Sequence, residues 1–420
     1  MAIPEGWDTC TIGGVLDSCT YGISSALSSE PNGIPILRMG NLLNGRLELL
    51  DLKFAPDEMV PEPLRLRLGD VLFNRTNSAD HVGKVAYVDT DQVLGFASYL
   101  LRLRTRHTTD SLWLAHALGS KGMQNALKSI ATQGVSQANI NPSRMRELPL
   151  LLPPLPEQKK IAAILSSVDD AIAKTEAVIA QLQIVKKAMM EQLLTKGMPG
   201  RHTRFKQTEL GEIPEEWEVV RAGELCEVIT KGATPKVVTS ASPDCVPFLR
   251  VQNIGRRGEI DLSGSALFVT ERTHTTELMR SQIRPGDVLM NIVGPPLGKV
   301  AVVPISIPKA NINQAIALLR PARIESEYLS LCLTAEHLFA WLLKQAKRTS
   351  TQLNLTLESC REFPLPLPDQ AERREIIACT VAMQLTLDAQ QTELVALREV
   401  KSSLSSSLLS GEIRVAAGVA

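Results

Sequence analysis

The sequence predicts an α+β chain built from two tandem copies of one globular α/β domain. Each copy is followed by a long helix, and the two helices pair as a coiled coil. Three observations predict this. Short blocks recur in the same order in both halves, each half carries short apolar runs broken by turn residues, and each half ends in a strict heptad pattern.

The repeat comes first because it fixes the domain count. IPEGW at Ile3–Trp7 returns as IPEEW at Ile213–Trp217, and PILRMGN at Pro35–Asn41 returns as PFLRVQN at Pro247–Asn253. GDVLFN at Gly69–Asn74 returns as GDVLMN at Gly286–Asn291, and GKVA at Gly83–Ala86 as GKVA at Gly298–Ala301. From Ser111 onward the halves align without a gap at an offset of 215: Gln137, Asn139, Arg146, Glu147, Pro149 and Pro153 fall on Gln352, Asn354, Arg361, Glu362, Pro364 and Pro368. So long a period excludes a solenoid and implies two copies of one domain.

Within each copy, DVLF, KVAYV, DVLM and KVAVV between Gly, Pro and Asn read as strands and turns. One helical segment follows near Ser111–Ala131 and again near Ser326–Ala346. A polar loop and a Pro-rich strap then lead into the long helix. The predicted divisions are a first domain at 1–155, a long helix at 156–197, a linker at 198–212, a second domain at 213–368, a second long helix at 369–411 and a tail at 412–420.

The long helices carry start and stop signals. Pro156 suits the first helical position, Glu157 lies in the first turn, and Gly197 with Pro199 ends the helix. Asp369 with Glu372 three residues on makes a start resembling a capping box, and Gly411 supplies the second stop. About 40 residues at 1.5 Å each make a rod of roughly 60 Å, longer than any face a small domain offers. The heptad positions of the first helix are Ile161, Leu165, Val168, Ile172, Thr175, Ile179, Leu182, Lys186, Met189 and Leu193. Those of the second are Ile376, Thr380, Met383, Leu387, Gln390, Leu394, Leu397, Lys401, Leu404 and Leu408. Most are apolar, as a coiled-coil seam requires, and Lys186 and Lys401 share one slot that would fix register. The alternative is that each helix packs only on its own domain.

Composition bounds the function. Lys plus Arg total 45 and Asp plus Glu total 45, so the net charge is zero and tight DNA binding by this chain alone is not expected. Acidic residues are nevertheless absent between Asp110 and Glu147, between Asp287 and Glu325, and between Glu336 and Glu358, so local positive faces are expected. The seven cysteines are odd in number and contain no CxxC pair, which fits a reducing cytoplasm and argues against a zinc cluster. The opening MAIPEGW lacks signal-peptide character, and no apolar run reaches the roughly 20 residues of a membrane span.

The strap and helix segments carry a family resemblance. LPLLLPPLPEQKKIAAIL at Leu148–Leu165 and LLTKG at Leu193–Gly197 are echoed by FPLPLPDQAERREII at Phe363–Ile377 and LLSGEI at Leu408–Ile413. With IPEGW, IPEEW, LGDVL and PGDVL, these resemble the specificity subunits of type I restriction–modification enzymes over nearly the whole chain. PDQAER stands where the family pattern has a second PEQ. The resemblance implies two target-recognition domains separated by an antiparallel helix pair, each reading one half of a split double-stranded DNA target. It also implies two modification subunits that carry S-adenosylmethionine and methylate adenine. ATP-driven, Mg-dependent translocating restriction subunits would join them. A protein-interaction scaffold without DNA is the alternative.

Catalytic motifs are not found in this chain. GPPLGKV at Gly294–Val300 is one residue short of a phosphate loop and lacks Ser or Thr after Lys, so it reads as a turn into a strand. No Asn-Pro-Pro-Tyr or Asp-Pro-Pro-Tyr methylation motif occurs, and no strand–GxGxxG unit. Glu157 and Lys159 open a helix rather than forming a nuclease ExK. No catalytic residue, metal ligand or cofactor is assigned to the chain.

Base reading needs Arg, Lys, Asn and Gln on loops or strands that can enter a groove. Two regions per copy qualify. One is the turn after GDVL: Asn74, Arg75, Thr76 and Asn77, with Asn291 in the second copy. The other precedes the strap: Gln133, Ser136, Gln137, Asn139, Asn141 and Arg144, against Lys347, Arg348, Thr349, Ser350, Thr351, Gln352 and Asn354. The shared Gln137/Gln352 and Asn139/Asn354 suit a framework role. The differing Thr132–Gln133–Gly134 and Lys347–Arg348–Thr349 suit discrimination. The plain alternative is solvated loops whose amides bond their own backbone. The basic link RHTRFK at Arg201–Lys206 is a further candidate for phosphate contact.

Overall fold

The structure, a computed structural model, describes residues 3–134, 137–240, 245–255, 257–263, 266–349 and 352–415, the side chains of Arg348, Thr349 and Gln352 excepted. Ser136, Ser350 and Thr351 lie outside the described residues, as do those three side chains. The chain divides into two compact units: Met1–Ala177 with Gln390–Ala420, and Val178–Ala389. Each unit is therefore a head with parts of both long helices.

In the first unit an antiparallel sheet has the order Leu16–Tyr21, Leu100–Thr105, Val71–Asn74, Val85–Tyr87. A smaller sheet places Ile34–Leu37 between Gly95–Phe96 and Lys53–Ala55. The second unit repeats the larger sheet with Cys226–Lys231, Ile316–Pro321, Val288–Asn291 and Val300–Val302 in the same order. The central strands are buried along consecutive residues, so both of their faces are covered, as their unbroken apolar runs require. Each Pro-rich strap is half of a two-stranded ribbon. Pro149–Leu152 pairs antiparallel with Asp8–Thr11, and Pro364–Leu367 with Glu218–Arg221. Proline is tolerated there because such a ribbon has free edges.

The single helical segment expected in each head is two short helices. Ser111–Gly119 and Lys121–Ser129 are separated by Ser120, whose extended backbone and side chain cap the second helix by accepting from the Met123 N–H. In the other head Ala335 makes the same break between Ser326–Thr334 and Glu336–Gln345 without a side-chain cap.

The long helices run Leu155–Thr195 and Gln370–Leu409. Pro156 is thus the second helical residue rather than the first. In the first unit Asp169 pairs with Lys401 and Glu176 with Arg398, so numbers rise on one helix as they fall on the other. The second unit is also antiparallel: Lys186 donates to Gln384, and the Met198 N–H to Glu372. Ile161, Leu165, Ile172, Ile179 and Leu193 are buried on the first helix and Ile376, Leu387 and Leu408 on the second. Val168, Leu182, Met189, Met383, Leu394, Leu397 and Leu404 are half-buried. Ile161, Leu165 and Leu408 belong to the first head's core, and Leu193 and Ile376 to the second's.

Each helix pair is locked to its head by a buried glutamate. Glu157 accepts from Trp7 Nε1 at 2.9 Å, from Arg414 Nε and Nη2 at 2.9 and 3.0 Å, and from the Val415 N–H. Glu372 accepts from Trp217 Nε1 at 3.0 Å, His202 Nε2 at 3.0 Å and the Met198 N–H at 3.0 Å. Only half the expected capping box forms. Asp369 accepts the Glu372 N–H at 2.8 Å, while the Glu372 carboxylate turns to Trp217 instead of its own helix start. Gly197 and Gly411 make the sharp exits, both with a φ of +74°. A Cβ on Gly197 would lie 2.5 Å from Glu372 Oε1, and one on Gly411 would lie 2.4 Å from Pro4 Cγ. Glycine is thus required by backbone and by space.

Candidate nucleic-acid interface

The two regions singled out in each half meet in one small sheet. In the first head Ala138–Asn139 lies between Thr132–Gln133 and Thr76–Asn77. In the second, Gln352–Asn354 lies between Lys347–Thr349 and Val293–Gly294. Each is a hairpin with its outer strand free and its root anchored beside the central strand of the large sheet. We call this element the finger. In the first head the Gly134 N–H donates to the Gln137 carbonyl at 2.8 Å and closes the turn. A projecting two-stranded ribbon has the dimensions to enter a DNA major groove.

Gln133 and Gln137 are exposed on the first finger and Lys347 on the second. Asn77 and Asn139 are half-exposed; Asn77 Oδ1 accepts the Ser78 N–H at 2.8 Å. Asn139 is a framework residue, accepting from Arg75 Nη2 at 3.0 Å and donating to Thr76 Oγ1 at 3.2 Å. Asn354 is half-buried and pairs with both Val293 and Lys347 in the sheet. In the segments that flank the outer and middle finger strands in sequence, Lys121, Lys128, Arg144 and Arg146 are exposed in one head and Lys344 in the other. These supply a local positive surface on a neutral chain.

Several candidates are corrected. Asn74 and Asn291 are fully buried and cannot reach a base. Asn291 clasps its own loop, accepting the Lys299 N–H at 2.6 Å and donating to the Pro296 carbonyl at 2.6 Å. Thr76 is also buried beneath the finger. Asn141 caps the helix Pro142–Glu147 by accepting the Ser143 N–H at 2.8 Å, so its side-chain oxygen is spent locally. Arg144 Nη1 donates to the Ile130 carbonyl at 3.2 Å and braces the finger's base. The basic link is neutralised too. Arg201 meets Asp369 and Glu375, His202 meets Glu216 and Glu372, and Arg204 meets Glu215.

The repeated motifs outside the finger are structural. Asp70 of GDVL accepts the Arg67 N–H at 2.9 Å and takes Arg104 in a two-point contact at 2.7 and 3.2 Å. Asp287 does the same with the Arg284 N–H and Arg320, and this contact holds the Arg320 guanidinium firmly charged. Asn41 and Asn253 fold the chain back at Arg38 and Arg250, each accepting that residue's N–H. Arg38 is spent on Asp51. Gly294 is in the finger root, so the GPPLGKV run is a turn between strands.

Sequence reasoning missed the Trp–Glu locks, although Trp7/Trp217 and Glu157/Glu372 stand inside the recurring blocks. It also missed Tyr21 and Tyr99, two exposed tyrosines in the strand-and-turn region of the first head. Arg75 Cζ lies 5.2 Å from the centre of the Tyr21 ring, and the Arg75 N–H donates to the Tyr99 carbonyl at 3.1 Å.

The profile of the family described as "Type I restriction modification DNA specificity domain" matches residues 4–183 and again 214–381. The chain belongs to this family. Its two matches cover the two heads and the first part of each long helix. Among the similar specificity subunits is the putative type I restriction enzyme MjaX specificity subunit of Methanocaldococcus jannaschii, 28% identical over 98% of this chain and 95% of that protein. The type I restriction enzyme EcoKI specificity subunit of Escherichia coli is 23% identical over 89% of this chain and 81% of its own length. The type I restriction–modification S subunit from M. genitalium shares the fold with a TM-score of 0.58 and 17% identity, covering 96% of both chains. A chain from a structural study of complex assembly and conformational transition in a type I R-M system shares it with a TM-score of 0.59 and 18% identity, over 98% and 100% of the two chains. The chain is a type I DNA specificity subunit, and the scaffold alternative is set aside. Among the described residues no helix is long and apolar enough to cross a membrane.

Proposed function

We propose that this specificity subunit reads a split, asymmetric target in double-stranded DNA, one half-site per head, with the finger of each head entering the groove. The observation that carries this reading is that both heads hold the same finger on the same framework with different residues on the outer strand: Thr132–Gln133 in one, Lys347–Thr349 in the other. A shared mount with unlike contact residues suits two unlike half-sites. The antiparallel helix pair, at roughly 1.5 Å per residue, is the ruler that fixes a non-specific spacer between them. Affinity comes from phosphate contacts shared with two modification subunits, which accords with the zero net charge of this chain. Those subunits carry S-adenosylmethionine and methylate adenine. Restriction subunits using ATP and Mg join them, and the assembly acts in the cytoplasm.

The test is a map of methylated sequences in cells carrying the system. A split motif with unlike halves and one spacer length is expected. Inserting one heptad in each long helix, at matched positions, should lengthen the preferred spacer and leave both half-sites unchanged. A spacer preference unmoved by the insertion counts against the ruler, and a continuous motif counts against two reading heads.

A further inference from the structure

The two finger roots differ in one cation. Arg75 in the first head stands where the second has Ile292, immediately after the buried Asn74 and Asn291. Its backbone is fixed on both sides: the N–H donates to the Tyr99 carbonyl, and its own carbonyl accepts the Ile140 N–H at 2.8 Å. Its side chain rests on neutral groups. The guanidinium lies over the exposed Tyr21 ring at 5.2 Å and gives one hydrogen bond to Asn139 Oδ1. Arg75 Nε is buried without a partner, as are both amide atoms of Asn74 beside it. In the second head the corresponding Asn291 amide is satisfied at both ends.

Four other arginines of this head are engaged by carboxylates, Arg104 by Asp70, Arg38 by Asp51, Arg46 by Asp170 and Arg65 by Asp57, while Arg106 and Arg144 rest on backbone carbonyls. Withdrawing any of the four from its carboxylate strands a charge. Arg75 has no ion pair among the described residues, so leaving its resting place costs a ring contact and one neutral hydrogen bond and releases an unsatisfied donor. A guanidinium at the mouth of a groove-entering element, spare of carboxylates, matches the two acceptors on the major-groove edge of guanine.

We propose that Arg75 reads a guanine in the half-site of the first head, with Tyr21 as the platform on which its guanidinium rests between targets. This rests on the finger reading above. It also assigns the heads different behaviour: the first rearranges locally on binding, and the second meets its half-site with a root already satisfied.

The test uses the full chain with its modification subunits acting on a plasmid library randomised across the methylated motif, and compares wild type with Arg75→Ala, Arg75→Lys and Tyr21→Ala. The expected result for Arg75→Ala is loss of discrimination at one guanine position, by about 10- to 100-fold, with the other half-site unchanged. Arg75→Lys retains a weaker guanine preference at that position, and Tyr21→Ala leaves base choice intact. The proposal is overturned if no guanine position weakens, or if Arg75→Ala lowers methylation uniformly over all sequences, the signature of a phosphate contact. It is also overturned if Arg75→Ala destabilises the head while Arg75→Lys behaves as wild type. A further variant replaces residues 132–139 by the sequence of 347–354. If that exchange leaves the motif unchanged, the finger reading itself fails. If the exchange alters the motif and Arg75→Ala does not, only the role of Arg75 falls.

Discussion

The two locks do one job with differently connected pieces of chain. In the second unit the segment that follows the first helix returns His202 and the Met198 N–H to Glu372 and continues into the second head, so the contact is made by a covalent link. In the first unit the segment that follows the second helix returns Arg414 and the Val415 N–H to Glu157, and it does so from the C-terminal tail. Both tie the end of one helix to the start of the other and to a head tryptophan. A buried carboxylate is costly unless charge or hydrogen bonds surround it, so repeating the arrangement with different side-chain partners, Arg414 in one and His202 in the other, shows that the carboxylate is the fixed part.

The largest effect is expected from breaking the more buried lock. Glu372 is 1% exposed, and Glu372→Ala leaves the Trp217 and Met198 N–H groups and His202 without their acceptor. A loss of about 1–3 kcal/mol is expected for each buried donor left without its acceptor. Chemical unfolding followed by fluorescence of the tryptophans reports it. A loss below about 1 kcal/mol would show that the lock is ornamental to the second unit.

An intermediate effect sharpens the contrast between the heads. His116 and Leu331 occupy equivalent helix positions in the two copies. His116 Nε2 lies 3.0 Å from Ser166 Oγ, and Asp169, Lys401, Asp110 and Arg46 surround the ring. Burial, aided by Lys401 and opposed by Asp169, pushes its pKa down to about 4. Between that value and the ordinary 6.5 the unfolded chain binds a proton that the folded chain refuses, so the first unit loses stability as pH falls through this window. The loss is bounded at about 3 kcal/mol. His116→Leu, which installs the residue of the second copy, should flatten the dependence between about pH 7 and pH 4 in denaturant midpoints. An unchanged slope would remove His116 as its source.

Much of this organisation is legible in the sequence. The repeat, the long helices, the seam spacing and the two polar regions of each half all rest on local pattern, which sequence displays directly. What pattern does not supply is pairing at long range. Thr76–Asn77 and Ala138–Asn139 look like two sites until their register makes them one finger. Asn74, Asn291 and Arg320 have the chemistry of base readers or phosphate ligands, yet Asn291 clasps a loop and Arg320 is consumed by Asp287. The same donors serve both purposes, and only a neighbour's position decides between them. The break at Ser120 is legible in principle, because a serine inside an apolar helix pattern competes as a cap. Ala335 makes the same break without that signal, so there it is packing that ends the helix.

The smallest effect tests whether the tail lock is weaker because water reaches it. Arg414 is 40% exposed whereas Glu157 is 5% exposed, so Arg414→Ala leaves a carboxylate that keeps Trp7 and the Val415 N–H and gains access to solvent. A loss smaller than that of Glu372→Ala is expected because solvent screens the pair, together with loss of the guanidinium over the Trp7 ring at 5.6 Å. Burial raises the pKa of the Glu157 carboxyl, but the bonds from Arg414, Trp7 and Val415 outweigh it and hold it below the ordinary value. Its contribution is therefore present at neutral pH and is lost as pH falls from the ordinary carboxylate range through that lowered value. Arg414→Ala should weaken this acid sensitivity in the first unit, read from denaturant midpoints across that pH range. An equal cost for Arg414→Ala and Glu372→Ala would mean that the tail holds its lock as firmly as a covalent linker, and that exposure does not distinguish them.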